Sequence, residues 1–200
     1  MNTYTHRHDN RPDAPGQKRS IWHHLLRRWP SGLGLLALLF NLTNGADAHV
    51  TAMIIIIASM CYLAVSAIGS RRSGWIMVGA AGVAVVLARI TGLDPTATLL
   101  VMGVGFAVFG FLRGAAIDRR ELLAQTLAFL GFSAIALTAM MVTPIAALFL
   151  AALAAVGHAA WDVVYIIRNK IVPRSLAEAC FVLDLGLGIA LLVLAWFGPF

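Results

Sequence analysis

Charged residues are scarce in this chain. Only 12% of its 200 residues are Asp, Glu, Lys or Arg, whereas 60% are hydrophobic, and the mean hydropathy is +0.84. This composition argues against a soluble domain and predicts a polytopic membrane protein. The length allows about seven membrane-spanning helices and little else, so any chemistry must take place inside the helix bundle or at its rim.

Cysteine is also nearly absent. The chain has 2 cysteines, Cys61 and Cys180, and both lie in apolar segments. Their number and spacing argue against a disulfide framework and against a cysteine-ligated metal site. The net charge is +6, but the sequence shows no basic surface pattern with aromatic residues or a helix that could contact nucleic-acid bases. We therefore expect no nucleic-acid partner.

Seven apolar segments follow one another along the chain, and we expect them to form an all-α membrane bundle. They cover residues 30–44, 48–69, 74–91, 95–112, 121–142, 144–168 and 175–197. Residues 30–200 thus form a single transmembrane bundle, and residues 1–29 form a polar cytoplasmic tail. The end of this tail, residues 21–29, is either a short interfacial helix or an unstructured basic flank.

Basic residues fall at alternate ends of successive segments. The groups are Arg27 and Arg28; Arg71 and Arg72; Arg113, Arg119 and Arg120; and Arg168, Lys170 and Arg174. Positive charge marks the cytoplasmic side, so we expect the N-terminus inside and the C-terminal Phe200 outside a cell's inner (plasma) membrane. Residues 30–44 are short for a span, and a re-entrant first segment would change this assignment.

Three ionisable residues lie within the last two apolar segments. His158, Asp162 and Asp184 each cost several kcal/mol in a bilayer unless they are paired or hydrated, which makes them candidates for function. His158 and Asp184 fall at matching depth on segments joined by a short loop. We therefore expect their side chains to approach within hydrogen-bond reach. His158, Asp162 and Tyr165 share one helical face.

Further polar and aromatic residues are predicted to line a cavity beside these groups. The predicted substrate-binding residues are Asn41, Tyr62, Gln125, Trp161, Tyr165 and Phe181. Together they would form a mainly apolar cavity with a polar floor. The four aromatic rings of Tyr62, Trp161, Tyr165 and Phe181 are suited to stabilising a carbocation.

The three buried residues allow different chemical interpretations. Asp162 or Asp184 can act as a general acid with His158 as its orienting or relay partner, or the set can be an interhelical clamp. A zinc site would have a single histidine, so we expect no metal and no other cofactor. Glu178 points away and is expected to pair with Arg174.

A second polar group lies at the opposite rim. It consists of Asn44, Asp47, His49, Arg89 and Asp94. Arg89 is expected to pair with Asp47 or Asp94, and loop charges of this kind are usually solvated or structural. This group receives no functional assignment.

The segment GHAAWDVVY, followed by RNKIVPRSLAEACFVLD, resembles a group of small multi-pass actinobacterial membrane proteins of undefined function. Their pattern is His-x-x-Trp-Asp, an Arg-rich VPRS loop and Cys-x-x-x-Asp. It is matched by His158, Trp161, Asp162, residues 172–175, Cys180 and Asp184. Tyr165 and Ile166 stand where histidines end the Trp-Asp helix of that group, so the resemblance does not imply a metal site.

The chain is more loosely similar to seven-span membrane terpene cyclases in size, span number and membrane-embedded acidic residues. That likeness implies protonation of an alkene or epoxide, a cation cascade and a final deprotonation. Our leading hypothesis is an integral membrane enzyme acting on a lipophilic, prenylated substrate that reaches it among membrane lipids. The alternative is a small proton-coupled transporter or a membrane interaction subunit with a structural His–Asp clamp.

Overall fold

The structure, a computed structural model, describes residues 28–114 and 117–198. Over these residues the regular structure is entirely helical. The α-helices are α1 (Trp29–Thr43), α2 (Ala48–Ile68), α3 (Gly74–Thr91), α4 (Pro95–Leu112), α5 (Arg119–Met141), α6 (Pro144–Arg168) and α7 (Arg174–Phe197), and one 3-10 turn covers Arg71–Ser73. Residues 1–27 of the predicted tail, which include most of the predicted interfacial segment, and Phe200 lie outside the described residues.

The predicted fold class, an all-α membrane bundle of about seven helices, is confirmed. Six helices, α2 to α7, are long and apolar enough to cross a membrane. The shorter α1 has 15 residues. Helices α3, α4 and α6 begin and end at the predicted residues, and the bounds of the other helices differ from the predicted ones by at most two positions. The assignment of each end to a side of the membrane stays a prediction.

Local sequence explains where several helices begin. Asp47 and Asp94 precede α2 and α4, and their side chains accept hydrogen bonds from the backbone N–H groups of Val50 and Ala97 at 2.8 and 2.6 Å. Aspartate is a favoured N-cap because it satisfies an amide that lacks a helical partner. Within the described ranges no ion pair joins Arg89 to Asp47 or Asp94, so that predicted pairing is wrong.

Helix α2 forms the centre of the bundle. Most of its residues are buried, and it packs against α3, α4, α5, α6 and α7. The largest helix–helix contact joins α6 to α7, which follow each other in the chain. By contrast, α3 and α4 present exposed side chains such as Val83, Ile90 and Val101, as expected for helices that face lipid. The centre of α2 thus faces the two helices that carry the ionisable residues.

Helix α1 packs mainly against α7. Gly34 permits this close approach, because a Cβ atom there would collide with the backbone oxygen of Ala179. Near the start of α1, Arg28 pairs with Glu178 at 3.2 Å, and the Ser31 hydroxyl donates to the same carboxylate. The predicted partner of Glu178, Arg174, is therefore wrong: Glu178 instead ties α1 to α7.

The four basic groups named above, as far as the structure describes them, lie at one end of the bundle, which we call the basic end; Arg89 lies at the other end of α3. Arg113 donates to the backbone oxygen of Ile68 at 2.7 Å, and Arg71 donates to the side-chain oxygen of Asn169 at 2.6 Å. These contacts join the end of α2, the end of α4 and the loop between α6 and α7. The bundle therefore has the charge asymmetry on which the orientation prediction depends.

Candidate active site in the bundle interior

His158, Asp162 and Asp184 form one buried cluster. His158 Nδ1 lies 2.8 Å from Asp184 Oδ2 and 3.5 Å from Asp162 Oδ2. The side chains are 0 to 1% exposed. The predicted approach of His158 to Asp184 is confirmed. It arises because α6 and α7 are consecutive, closely packed helices that place both residues near mid-length.

Tyr62 joins this cluster from the central helix α2. Its hydroxyl donates to Asp162 Oδ1 at 2.5 Å, and its ring meets the His158 ring edge-on at 5.5 Å between centroids. Three helices therefore contribute to one hydrogen-bonded group. Such a network fixes the orientation of both carboxyl groups and of the imidazole between them.

Three atoms of the cluster retain unused hydrogen-bonding capacity. Asp184 Oδ1, Asp162 Oδ2 and His158 Nε2 are buried and have no hydrogen-bond partner in the part of the chain that the structure describes. Buried polar atoms in native proteins are nearly always satisfied, so unsatisfied ones need an explanation such as a ligand or a catalytic role. Asp184 is the most informative of the three residues because a cavity lies beside it.

A cavity of about 260 Å³ separates α1 from α2 and α3, with α7 at its base. Its wall is almost entirely apolar. Asp184 is the acidic residue among those that line it, and Tyr62 and Trp75 are the aromatic ones. The Trp75 indole donates to the Ser175 hydroxyl at 3.1 Å, which fixes the ring at the basic end of the cavity. A lipophilic molecule in this space would lie against an ionisable group.

The structure places two of the predicted lining residues on the other side of the cluster. Trp161 borders a separate apolar groove of about 510 Å³ between α5 and α6, and its indole donates to Gln125 Oε1 at 3.4 Å. Phe132 also borders this groove and stacks against His158, with ring centroids 5.1 Å apart. The cluster therefore lies between two apolar spaces, of which only the first includes a carboxyl group in its wall.

Asn41 and Phe181 were predicted to line the cavity, and both predictions are wrong. Asn41 lies in the last turn of α1 and donates to the backbone oxygen of Ala37 in its own helix at 2.8 Å. On α7 the cavity wall is formed by residues that share a face with Asp184, such as Cys180. Phe181 is next to Cys180 in sequence and is therefore turned by about 100° from that face.

Tyr165 is buried on the predicted face of α6, but its hydroxyl serves another group. It donates to Glu121 Oε2 at 3.0 Å, and Glu121 also pairs with Arg168. Glu121 was not predicted as a site residue because it was taken for the polar start of a span. Its place at the same depth as Arg168, at the basic ends of consecutive helices, could have predicted their contact. Trp75 was also missed, because isolated tryptophans near span ends usually mark the interface.

The same three residues offer a possible set of cation ligands. One atom from each of His158, Asp162 and Asp184 lies within 4.8 Å of the others. An imidazole with two carboxylates suits a divalent cation. In the observed arrangement, however, His158 Nδ1 and Asp184 Oδ2 are at hydrogen-bond distance from each other, so each already has a partner without a cation. The expectation that no metal binds stays a prediction.

A scan of the chain against protein-family models and searches of curated proteins and of solved structures find no match. The fold and the cluster define a multi-pass helical membrane protein with an acid–histidine group in its interior. Function must therefore be argued from the site itself.

Proposed function

We propose that this chain is an integral membrane enzyme of the plasma membrane that protonates a lipophilic, prenylated substrate and rearranges the resulting cation. The observation that carries the proposal is the position of Asp184, a carboxyl group in the wall of an otherwise apolar cavity. Among the described residues its buried Oδ1 atom has no hydrogen-bond partner, while its Oδ2 atom contacts His158. We assign Oδ1 to the substrate and Oδ2 to the proton source.

The net charge of the buried cluster limits how it is protonated. An isolated charge is costly to hold in an apolar interior. The cluster is neutral with a protonated His158, one carboxylate and one carboxylic acid, or with a neutral His158 and two carboxylic acids. In both arrangements Asp162 or Asp184 carries a proton. The cluster therefore contains a proton donor.

The hydrogen bonds assign different roles to the two aspartates. Asp162 accepts a hydrogen bond from the Tyr62 hydroxyl, as a carboxylate does, and we assign it the role of base. Asp184 faces the cavity and is the proton donor. Two carboxyl groups in different environments are the usual basis for separate acid and base roles in one site. His158 lies between them and passes the proton that Asp184 needs after each transfer.

The reaction then proceeds without a cofactor. Asp184 Oδ1 gives its proton to one carbon of a substrate double bond, whose π electron pair forms the new C–H bond. The other carbon becomes cationic, and the rings of Tyr62 and Trp75 stabilise it. Loss of a proton from a neighbouring carbon to a carboxylate of the cluster restores the double bond. The product is an isomer of the substrate, cyclised or rearranged.

The cavity volume limits what part of the substrate can enter. Its 260 Å³ lies just below the common range for small-molecule sites, roughly 300–1,000 Å³. We therefore assign to it one branched hydrocarbon end of an isoprenoid chain. The rest of such a chain would extend past α1 into lipid.

A second candidate function is structural or transport-related. It is favoured by the links that the cluster makes between α2, α6 and α7. A small proton-coupled transporter, or a subunit whose helices are clamped by His158, would also place these residues at a helix interface.

The test is turnover by the purified chain in lipid vesicles that contain prenylated quinones, phenols or alcohols, with products separated by mass spectrometry. The proposal expects an isomeric product from the parent chain and nearly none from Asp184→Asn. Asp162→Asn should lose about 10²–10⁴-fold, as is typical for general acid–base residues. Glu178→Gln is the control, because Glu178 binds α1 away from the cavity. Equal turnover by both Asn variants would show that the aspartates are structural, and proton-coupled uptake without turnover would favour the transporter.

A further inference from the structure

A second group of polar residues lies between the cluster and the basic end. Glu121 is nearly buried and contacts three groups: Arg168, the Lys170 amine at 3.9 Å and the Tyr165 hydroxyl at 3.0 Å. It also borders a polar pocket of about 370 Å³ whose wall includes Asp118 and Lys170. Glu121 therefore connects a charged pocket at the bundle end with a buried hydroxyl.

Tyr165 in turn meets Tyr62. The two rings are in edge contact, with centroids 5.6 Å apart, and both residues are 1% exposed. Tyr62 is already hydrogen-bonded to Asp162. Beside them, Gln125 has a buried amide nitrogen without a hydrogen-bond partner in the described residues. Polar groups thus continue from the pocket to Asp162 through a part of the bundle that is otherwise apolar.

We propose that Glu121, Tyr165 and Tyr62 form a proton route from the basic end to the buried cluster. The route exchanges protons between the basic end and the cluster in both directions, and only its use in keeping Asp184 protonated during turnover rests on the proposed function. Inward, Glu121 gives a proton to the Tyr165 hydroxyl, a proton crosses from that hydroxyl to the hydroxyl of the adjacent Tyr62, and Tyr62 gives its own proton to Asp162 Oδ1. The carboxylic acid of Asp162 then turns its protonated oxygen towards His158 Nδ1, which hands its own proton to Asp184 Oδ2 and takes the proton of Asp162. No electrons are transferred, each hydroxyl ends with one proton, and the same steps in reverse remove a surplus proton from the cluster.

The charges around Glu121 fit the mouth of such a route. Arg168 and Lys170 contact its carboxylate, and Arg71 and Asp118 line the same pocket. The ion pair with Arg168 holds Glu121 between the pocket and Tyr165. Glu121 and the two tyrosines do not touch the cavity beside Asp184 except through Tyr62. They act through other residues and are positioning residues for the proposed chemistry.

The route can be tested without any substrate. The purified chain in lipid is transferred to D2O, and infrared difference spectroscopy follows the exchange of the buried carboxylic acid, whose band is identified by its loss in Asp184→Asn or Asp162→Asn. Tyr165→Phe and Tyr62→Phe keep the rings and remove the hydroxyls. We expect them to slow the exchange at least about tenfold, which is modest beside usual proton-transfer contributions. Glu121→Gln should slow it as well.

Ser59→Ala is the matched control. It removes a buried hydroxyl on α2 that donates only within its own helix, to Ile55 at 2.8 Å and to Ile56. Its exchange rate should equal that of the parent. Tyr165→Phe keeps the test decisive if Tyr62→Phe fails to fold, because the Tyr165 hydroxyl does not contact the cluster. Parent-like exchange in Tyr165→Phe, or the absence of any carboxylic acid band that depends on the aspartates, would overturn the route.

The same variants separate this proposal from the proposed function. If exchange slows as expected but no prenylated substrate is turned over, the route stands and the enzymatic proposal fails. If the parent chain turns over a substrate while exchange in Tyr165→Phe and Tyr62→Phe stays parent-like, the enzyme stands and the route fails.

Discussion

His158 Nδ1 lies 2.8 Å from Asp184 Oδ2 in the interior of the bundle, and this contact joins α6 to α7. Neither residue has access to solvent that could replace its partner. The contact therefore has two consequences. It stabilises the packing of the last two helices, and it leaves the second oxygen of Asp184, beside the cavity, without a hydrogen-bond partner in the described residues.

The first consequence predicts a large energetic coupling. His158→Leu leaves Asp184 buried without its partner, and we expect a loss of about 3–5 kcal/mol in the free energy of unfolding. The double variant His158→Leu/Asp184→Leu removes both polar groups and should recover much of that loss. Unfolding in mixed detergent micelles measures both. Additive effects of the two single changes would mean that the contact contributes little.

Packing of α1 against α7 depends on Gly34. A Cβ at Gly34 would strike the backbone of Ala179, which cannot move aside, whereas a Cβ at Gly32 meets nothing within 4 Å. Gly34→Ala should therefore destabilise the protein by about 1–3 kcal/mol. Gly32→Ala in the same helix should be neutral or slightly stabilising, because alanine favours helices. Equal thermal stability of the two variants in detergent would contradict the observed helix separation.

The two apolar spaces beside the cluster can be distinguished by filling them. Ala37 borders the cavity with Asp184, and Ala128 borders the groove with Trp161. Both are half-buried alanines in helices. We expect Ala37→Leu to raise KM or abolish turnover of a prenylated substrate, and Ala128→Leu to leave turnover near the parent rate. The reverse pattern would place the substrate in the groove between α5 and α6.

Membrane orientation follows from the basic end. Arg72 and Leu93 are exposed residues at opposite ends of α3. In a Cys61→Ala/Cys180→Ala background, a cysteine replacing Arg72 should react with an impermeant thiol reagent only from the cytoplasmic side, and one replacing Leu93 only from outside. Labelling of the Arg72 position from outside would reverse the orientation and place the mouth at Glu121 on the outer face.

Helix bounds could be predicted from the sequence because membrane spans are long apolar runs ended by recognisable residues. Pro95 and Pro144 stand at helix starts, and Gly69 and Gly92 adopt left-handed φ angles of +70° and +77° just after helix ends. The contact of His158 with Asp184 could be predicted for a related reason. In two consecutive antiparallel helices, residues that are equally far in sequence from the shared loop lie at equal depth in the membrane.

The cavity could not be predicted in the same way. The contact of Gly34 with Ala179 determines which face of α1 meets α7. These two residues are far apart in the sequence, so a local sequence pattern cannot predict their contact. Asn41 and Phe181 were misplaced for this reason. Glu121 was missed because its burial comes from Arg168 and Tyr165, which belong to another helix. Sequence patterns identified which residues were unusual for a membrane, and packing determined which of them face the cavity.

The most direct test of the central claim is the fate of the transferred proton. Enzyme equilibrated in D2O is mixed with a prenylated substrate, and the product is examined by mass spectrometry. If Asp184 protonates a double bond, the parent product carries one solvent deuterium on the carbon that was protonated, and Asp184→Asn yields almost no product. A deuterium-free product from the parent chain, or a labelled product at the parent rate from Asp184→Asn, would contradict the claim.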